Sequence, residues 1–198
     1  VAGDTARRLA ADPVAPKDCA DVLPSVVSLP LEVATPASPI GTPPVWSQEG
    51  GSINDASCLD RTSIAGIVTP RNTEEVRQAI EYARANSLTV SAAGVRHSMG
   101  GHAFRRGGIV LDMTQLNRVT LDADRSVATV EAGATWHHIQ EVIHPRFAVK
   151  SMQSTDIFTV GGSIAVNAHG MDHQAGSVMG SVRSMQVMLA DGSVVTTS

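Results

Sequence analysis

Cysteine is almost missing from this chain, with Cys19 and Cys58 the only two among 198 residues. They allow one disulfide at most, which excludes a disulfide-built scaffold, and they have neither the close spacing of a zinc site nor that of a redox pair. Long apolar runs are missing as well. None approaches the roughly 20 residues that span a bilayer, and the first residues hold no apolar signal-peptide core. An excess of basic charge is also absent, because the formal net charge is -4 and Lys and Arg are scattered, whereas binding a phosphate backbone needs a clustered basic face. The expected protein has no membrane span and no nucleic-acid partner. It reads as soluble, either cytoplasmic or exported after removal of a targeting segment, since it begins at Val1 rather than at methionine.

Proline is scarce beyond Pro44: eight of the ten lie between Pro13 and Pro44, in low-charge sequence without helical or alternating period. Residues 1–45 therefore read as a Pro-rich arm or linker that adds little to the core, and the folded domain as 46–198. Its first clear element is a strand over Ala65–Thr69, ended by Pro70. Asn72, with Glu75 three residues on, predicts a capped helix to about Asn86, packed on a sheet through Val76, Ala79, Ile80 and Ala83. Strands are expected at Leu88–Ala92, Gly108–Asp112 and Ala128–Ala132, with Thr135 capping a short helix that carries Trp136 and Ile139. Runs over Val182–Leu189 and Ser193–Thr197 flank Ala190-Asp191-Gly192, a hairpin signal. The fold class is α+β.

Two glycine-bearing segments carry the chemistry. The first, Ala93-Gly94-Val95-Arg96-His97-Ser98-Met99-Gly100-Gly101, follows a strand and sets an imidazole in a glycine-rich turn. Glycine lets backbone N–H groups converge on an anion, so the turn suits a phosphorylated cofactor whose ring system His97 could touch or bond. The residues alone leave open a histidine that only hydrogen-bonds across its turn, and glycines that only form a bend. The second segment, Thr159 to Gly170, offers the N–H groups of Val160, Gly161 and Gly162 to the same anion, with Thr159 and Asn167 adding polar groups. Two such loops suggest a dinucleotide. Ser154 and Asp156 are weaker candidates, and His102 reads as a solvent-facing neighbour. His169 and His173, with His137 and His138, do not make a metal site, because Gly170 and Gly176 oppose the helix that would align them. The seven methionines read as core filler.

These segments together resemble the flavoprotein superfamily of vanillyl-alcohol oxidase and p-cresol methylhydroxylase, and within it the alditol oxidases and sugar-1,4-lactone oxidases. The likeness spans about Ile67 to Ser198. It rests on the entry Ile67-Val68-Thr69-Pro70-Arg71-Asn72-Thr73-Glu74-Glu75-Val76, on Gly94-Val95-Arg96-His97-Ser98, and on Ser154 to Gly170 with the Asp191-Gly192 hairpin. The resemblance implies a two-lobed FAD-binding domain of the p-cresol methylhydroxylase type, the first lobe over about 60–134 and the start of an incomplete second lobe over about 135–198. It also implies a separate substrate domain that these residues lack, which a longer chain or a second polypeptide would supply. FAD is the implied cofactor, with His97 the residue matching the family's 8α-histidyl link. Ala93, Gly94, Val95, Arg96, Ser98, Met99, Ser154, Thr159, Val160, Gly161, Gly162, Ala165, Asn167, His169 and Gly170 are the implied contacts. The implied activity is oxidation of a CH–OH group of a polyol, sugar or aldonolactone by hydride transfer to flavin N5, with no catalytic acid or base in this chain. The alternative is a non-catalytic truncated flavin-fold module that acts in binding or interaction.

Overall fold

The structure is a computed structural model and describes residues 40–198. The proline-rich arm lies outside the described residues except for its end, where Ile40 and Asn86 exchange hydrogen bonds at 2.8 and 2.9 Å.

A four-stranded sheet organises the first half. Its order is β1 (Trp46–Glu49), β4 (Gly66–Val68), β6 (Ile109–Asp112), β5 (Val90–Ala93), with β1 antiparallel to β4 and the other pairs parallel. β2 (Ser52–Ile53) and β3 (Thr62–Ser63) form a small antiparallel pair beside it. Helix α1 (Thr73–Ala85) begins as its sequence demands: the Asn72 side chain accepts from the Glu75 N–H at 2.9 Å, and the Glu75 carboxylate accepts from the Arg71 N–H at 2.8 Å. Val76, Ala79 and Ala83 then face Val68, Ile109 and Leu111 in one core, with Ile80 partly buried against it. The opposite sheet face packs Ile67, Val110 and Ala93 on Ile53, Ile64 and Phe104. Because β4, β5 and β6 run parallel, their carboxyl ends share one edge, where open α/β sheets hold ligands. The His97 turn leaves from that edge.

The second half is built on Trp136, Ile139, Ile143 and Val178. Helix α2 (Trp136–Ile143) carries the first three, and Thr135 caps it, accepting from the His138 N–H while His138 Nδ1 accepts from the Thr135 N–H. A hairpin of β7 (Val119–Asp122) and β8 (Val127–Val130) packs over this core. β7 escapes the sequence reading because its Val-Thr-Leu-Asp alternation is only four residues long. At the end of the chain β9 (Met185–Met188) pairs antiparallel with β10 (Val194–Thr197). The Asp191 carboxylate, held below its ordinary pKa by the Ser193 hydroxyl and N–H, closes their turn. No helix among the described residues is long and apolar enough to cross a membrane. The elements are mixed sheets and few helices, an α+β fold.

Candidate functional site

The two loops meet. A Cβ on Gly94 would collide with the Thr159 side chain, so glycine at 94 is what lets the turn after β5 lie against the start of the second segment. Three residues on, the His97 ring packs edge-on against Phe158, with centroids 5.2 Å apart. His97 is otherwise exposed, and Met99 beside it is 62% exposed.

The turn is held from below. Its backbone has positive φ at Arg96 (59°) and Met99 (56°) as well as at Gly101 (72°), a conformation that costs a non-glycine residue about 1–3 kcal/mol and survives only where surroundings enforce it. The enforcement comes from Asp55, only 1% exposed. One of its carboxylate oxygens accepts from the Gly100 and Gly101 N–H groups, both at 2.6 Å. The other accepts from the Ser57 N–H at 2.9 Å and hydroxyl at 2.5 Å. The Ala56 N–H donates to the Arg96 carbonyl at 2.8 Å. Burial alone would raise the Asp55 pKa, but the Ser57 hydroxyl and the Gly101, Gly100 and Ser57 N–H groups outweigh it and hold the carboxyl at about 2. Gly101 cannot be replaced here, since a Cβ would lie 2.6 Å from that of Asp60. The Arg96 guanidinium turns down to Asp112 at 3.2 Å, and Asp112 is fixed by the Thr114 N–H and hydroxyl.

This geometry corrects the expected anion cradle. Gly100 and Gly101 already serve an internal anion, and the Arg96 charge is spent on Asp112. Among the described residues, the N–H groups from Gly94 to Met99 donate to no protein acceptor, so the donors free for an outside anion run along the turn to its crest at His97, Ser98 and Met99 and end before Gly100.

The second segment is corrected in the same way. Where a loop was expected, Val160–Ala165 forms helix α3. The Val160 N–H donates to the Ala134 carbonyl and that of Gly161 to Ala132, both at 2.8 Å. Those two N–H groups therefore face the chain after β8 rather than a ligand. Gly161 permits it, as a Cβ there would sit 2.9 Å from Ala132. Beneath α3, Trp136 Nε1 donates to Gln153 Oε1 at 2.8 Å and to the Ser163 hydroxyl at 3.1 Å, and that hydroxyl also reaches Gln153 and the Thr159 carbonyl. Thr159, 3% exposed, precedes the helix without capping it.

Ala93 ends β5, and Gly94, Val95, Arg96, His97, Ser98 and Met99 form one turn after it, seated on Phe158 and Thr159. Gly162 is exposed on α3 with only the Thr159 hydroxyl near its Cβ position. Ser154, Ala165 and Asn167 are exposed, and Asn167 has φ 46°. His169 is exposed, with Nδ1 against the Gly170 carbonyl at 3.1 Å, and Gly170 packs on the Met152 backbone. Asp156 is tied to His137 at 2.8 Å. The sequence reading missed Asp55, Ala56 and Ser57. Asp-x-Ser is a local turn signal, but nothing in it announces a bond to glycines 45 residues away.

Comparison with known proteins defines the class. A family model described as FAD binding domain matches residues 64–198. The chain belongs to this family of FAD-linked oxidoreductase domains, within the p-cresol methylhydroxylase-type superfamily, and the cofactor of the domain is FAD. Decaprenylphosphoryl-beta-D-ribose oxidase of Mycolicibacterium smegmatis is 32% identical over 136 residues, which are 67% of this chain and 30% of the relative. Glucooligosaccharide oxidase of Sarocladium strictum is 28% identical over 157 residues, 77% of this chain and 31% of that enzyme. Among solved structures, glucooligosaccharide oxidase from Acremonium strictum, which carries a 6-S-cysteinyl, 8α-N1-histidyl FAD, superposes with a TM-score of 0.62 at 28% identity, covering 68% of this chain and 29% of that one. Xylooligosaccharide oxidase from Myceliophthora thermophila C1, in complex with xylobiose, gives 0.59 at 28% identity, covering 68% and 29%. The chain spans about 30% of the length of these relatives.

Proposed function

We propose that this chain is the FAD-binding portion of an oxidoreductase that oxidises a CH–OH group of a sugar- or polyol-type substrate, with the flavin attached through His97. The observation that carries this reading is the exposed imidazole at the crest of a turn whose neighbouring N–H groups are free and whose flank is closed by Phe158 and Thr159. FAD fits that arrangement: the His97, Ser98 and Met99 N–H groups suit a phosphate, and the imidazole beside them suits a bond to the ring system. Cys58 is disulfide-bonded and no cysteine lies beyond it, so the matched region offers a histidyl link without a cysteinyl one. The flavin supplies hydride acceptance from the carbinol carbon; the protein's share is to hold, orient and shield it. His97 anchors the ring, Gly94 and Thr159 close the two loops on each other, and Gly162 leaves the α3 face open. No residue in 40–198 is assigned as the base that takes the hydroxyl proton. Substrate contacts fall to sequence outside this region, on a longer chain or a second polypeptide.

The test is mass spectrometry and acid precipitation of holoprotein. The expected result is a flavin-sized increment on the His97 tryptic peptide, with flavin released by acid from His97→Ala and retained by His102→Ala. A colourless protein, or acid-stable flavin on His97→Ala, overturns the reading.

A further inference from the structure

We infer that Asp55 is the positioning residue for the His97 turn: with Ala56 it ties down both ends of residues 96–101, and so sets the orientation in which His97 meets the flavin. This rests on the attachment reading above.

Ala56 N–H holds the Arg96 carbonyl, at the entrance of the turn. The Asp55 carboxylate holds the Gly100 and Gly101 N–H groups, at its exit. His97, Ser98 and Met99 lie between, and apart from the Phe158 contact of His97 no other tie fixes them among the described residues. One dipeptide therefore fixes both feet of a turn whose crest is free. A carboxylate suits this better than any neutral group. It presents four lone-pair sites and no donor, and it meets four donors here: two glycine N–H groups, one serine N–H and one hydroxyl. An amide at the same place would turn its NH2 toward one of those pairs. The anion is also buried, and its charge is balanced by four donors.

The experiment compares the parent chain, Asp55→Ala, Asp55→Asn and His97→Ala in two measurements. Deuterium exchange of the 96–101 peptide in flavin-free protein reads the turn; acid-stable flavin after incubation with FAD reads the attachment. Both are repeated with 100 mM sodium formate, and with formamide and sodium chloride as controls. Asp55→Ala is expected to exchange at least tenfold faster in 96–101 while α1 and α2 peptides stay at parent rates, and to form acid-stable flavin at least tenfold more slowly. Formate, which restores a carboxylate to the vacated site, is expected to recover both; formamide and chloride are not. Asp55→Asn is expected to behave like Asp55→Ala without formate recovery. Parent-like exchange and attachment in Asp55→Ala overturn the inference, as does uniform loss of protection across all peptides without recovery by formate, in either variant. Parent chain without acid-stable flavin, and flavin unaffected by His97→Ala, defeat the attachment reading, and the inference falls with it whatever the exchange shows.

Discussion

The two glycine-bearing loops look alike in sequence and are held in opposite ways. The turn at 94–101 is secured by a few charged contacts: the buried Asp55 carboxylate takes the Gly100 and Gly101 N–H groups at its exit, and Asp112 takes the Arg96 guanidinium at its entrance. The segment at 159–165 is secured by many neutral bonds, from Val160 and Gly161 to Ala134 and Ala132 and from Trp136 to Gln153 and Ser163. A glycine pair therefore does not announce its own ligand. In the first loop its N–H groups take an internal anion; in the second they build the start of a short helix. Concentrated support leaves the crest of the first loop free of other bonds and puts its exit on Asp55 alone, whereas distributed support predicts that the second loop tolerates a single loss.

The largest effect that could break this contrast is Asp55→Ala. Hydrogen bonds to a charged acceptor are each worth about 1.5–3 kcal/mol net and are not additive, so a loss of about 3 kcal/mol in unfolding free energy is expected by urea denaturation, concentrated in the first half. The pH dependence has a definite sign. The folded pKa of Asp55 is about 2 against an ordinary 3.8, so the folded protein binds its proton less readily than the unfolded chain. Its stabilising contribution is complete above about pH 4 and fades as pH falls toward 2. Denaturation of the parent from pH 5 to 2.5 should show an acid-side loss that Asp55→Ala lacks; equal slopes would show that the Asp55 carboxylate does not stabilise the fold.

Next in size is Gly94→Ala, which drives a methyl into the Thr159 side chain where the loops meet. Overpacking of this kind costs about 1–3 kcal/mol. Thr159→Ser removes the Thr159 Cγ2 methyl from that contact; in combination with Gly94→Ala it should recover part of the cost, and a double-mutant cycle measures the coupling directly.

How much of this was legible beforehand follows the range of the interactions. Local patterns read correctly: the Asn72 cap, the Thr135 cap, the apolar face of α1 and the Asp191-Gly192 hairpin each depend on residues within a few positions of one another. The His97 turn was found because strand, glycine and imidazole are contiguous. What misread was long in range. The partner of Gly100 is 45 residues away, and the acceptors of Val160 and Gly161 lie in the connection after β8, so composition placed an anion site at both glycine pairs, whereas the fold leaves the free donors of the first loop before Gly100. Helix α3 was missed because Val-Gly-Gly-Ser has poor helix propensity, and tertiary bonds override it.

Distributed support in the second segment predicts a smaller response. Trp136→Phe removes the Nε1–H that reaches Gln153 and Ser163, but the Ser163 hydroxyl still reaches Gln153 Oε1 and the Thr159 carbonyl. The expected loss is about 1 kcal/mol, without faster exchange in the 96–101 peptide. A loss as large as that of Asp55→Ala would show that the second segment, too, hangs on one residue.

The smallest effect serves as the reference outside both loops. Asn72→Ala removes the side-chain acceptor for the Glu75 N–H at the start of α1, which costs about 1 kcal/mol at an N-cap, with Glu75 still holding the Arg71 N–H. Because α1 packs on the sheet face opposite to Ile53 and Phe104, this loss should lower the unfolding midpoint while leaving both the exchange of 96–101 and the yield of acid-stable flavin at parent values. If Asn72→Ala slowed flavin attachment as much as Asp55→Ala does, the effect of Asp55 would be global stability rather than placement of His97, and the contrast between a turn whose exit rests on one carboxylate and a segment held by many bonds would lose its functional meaning.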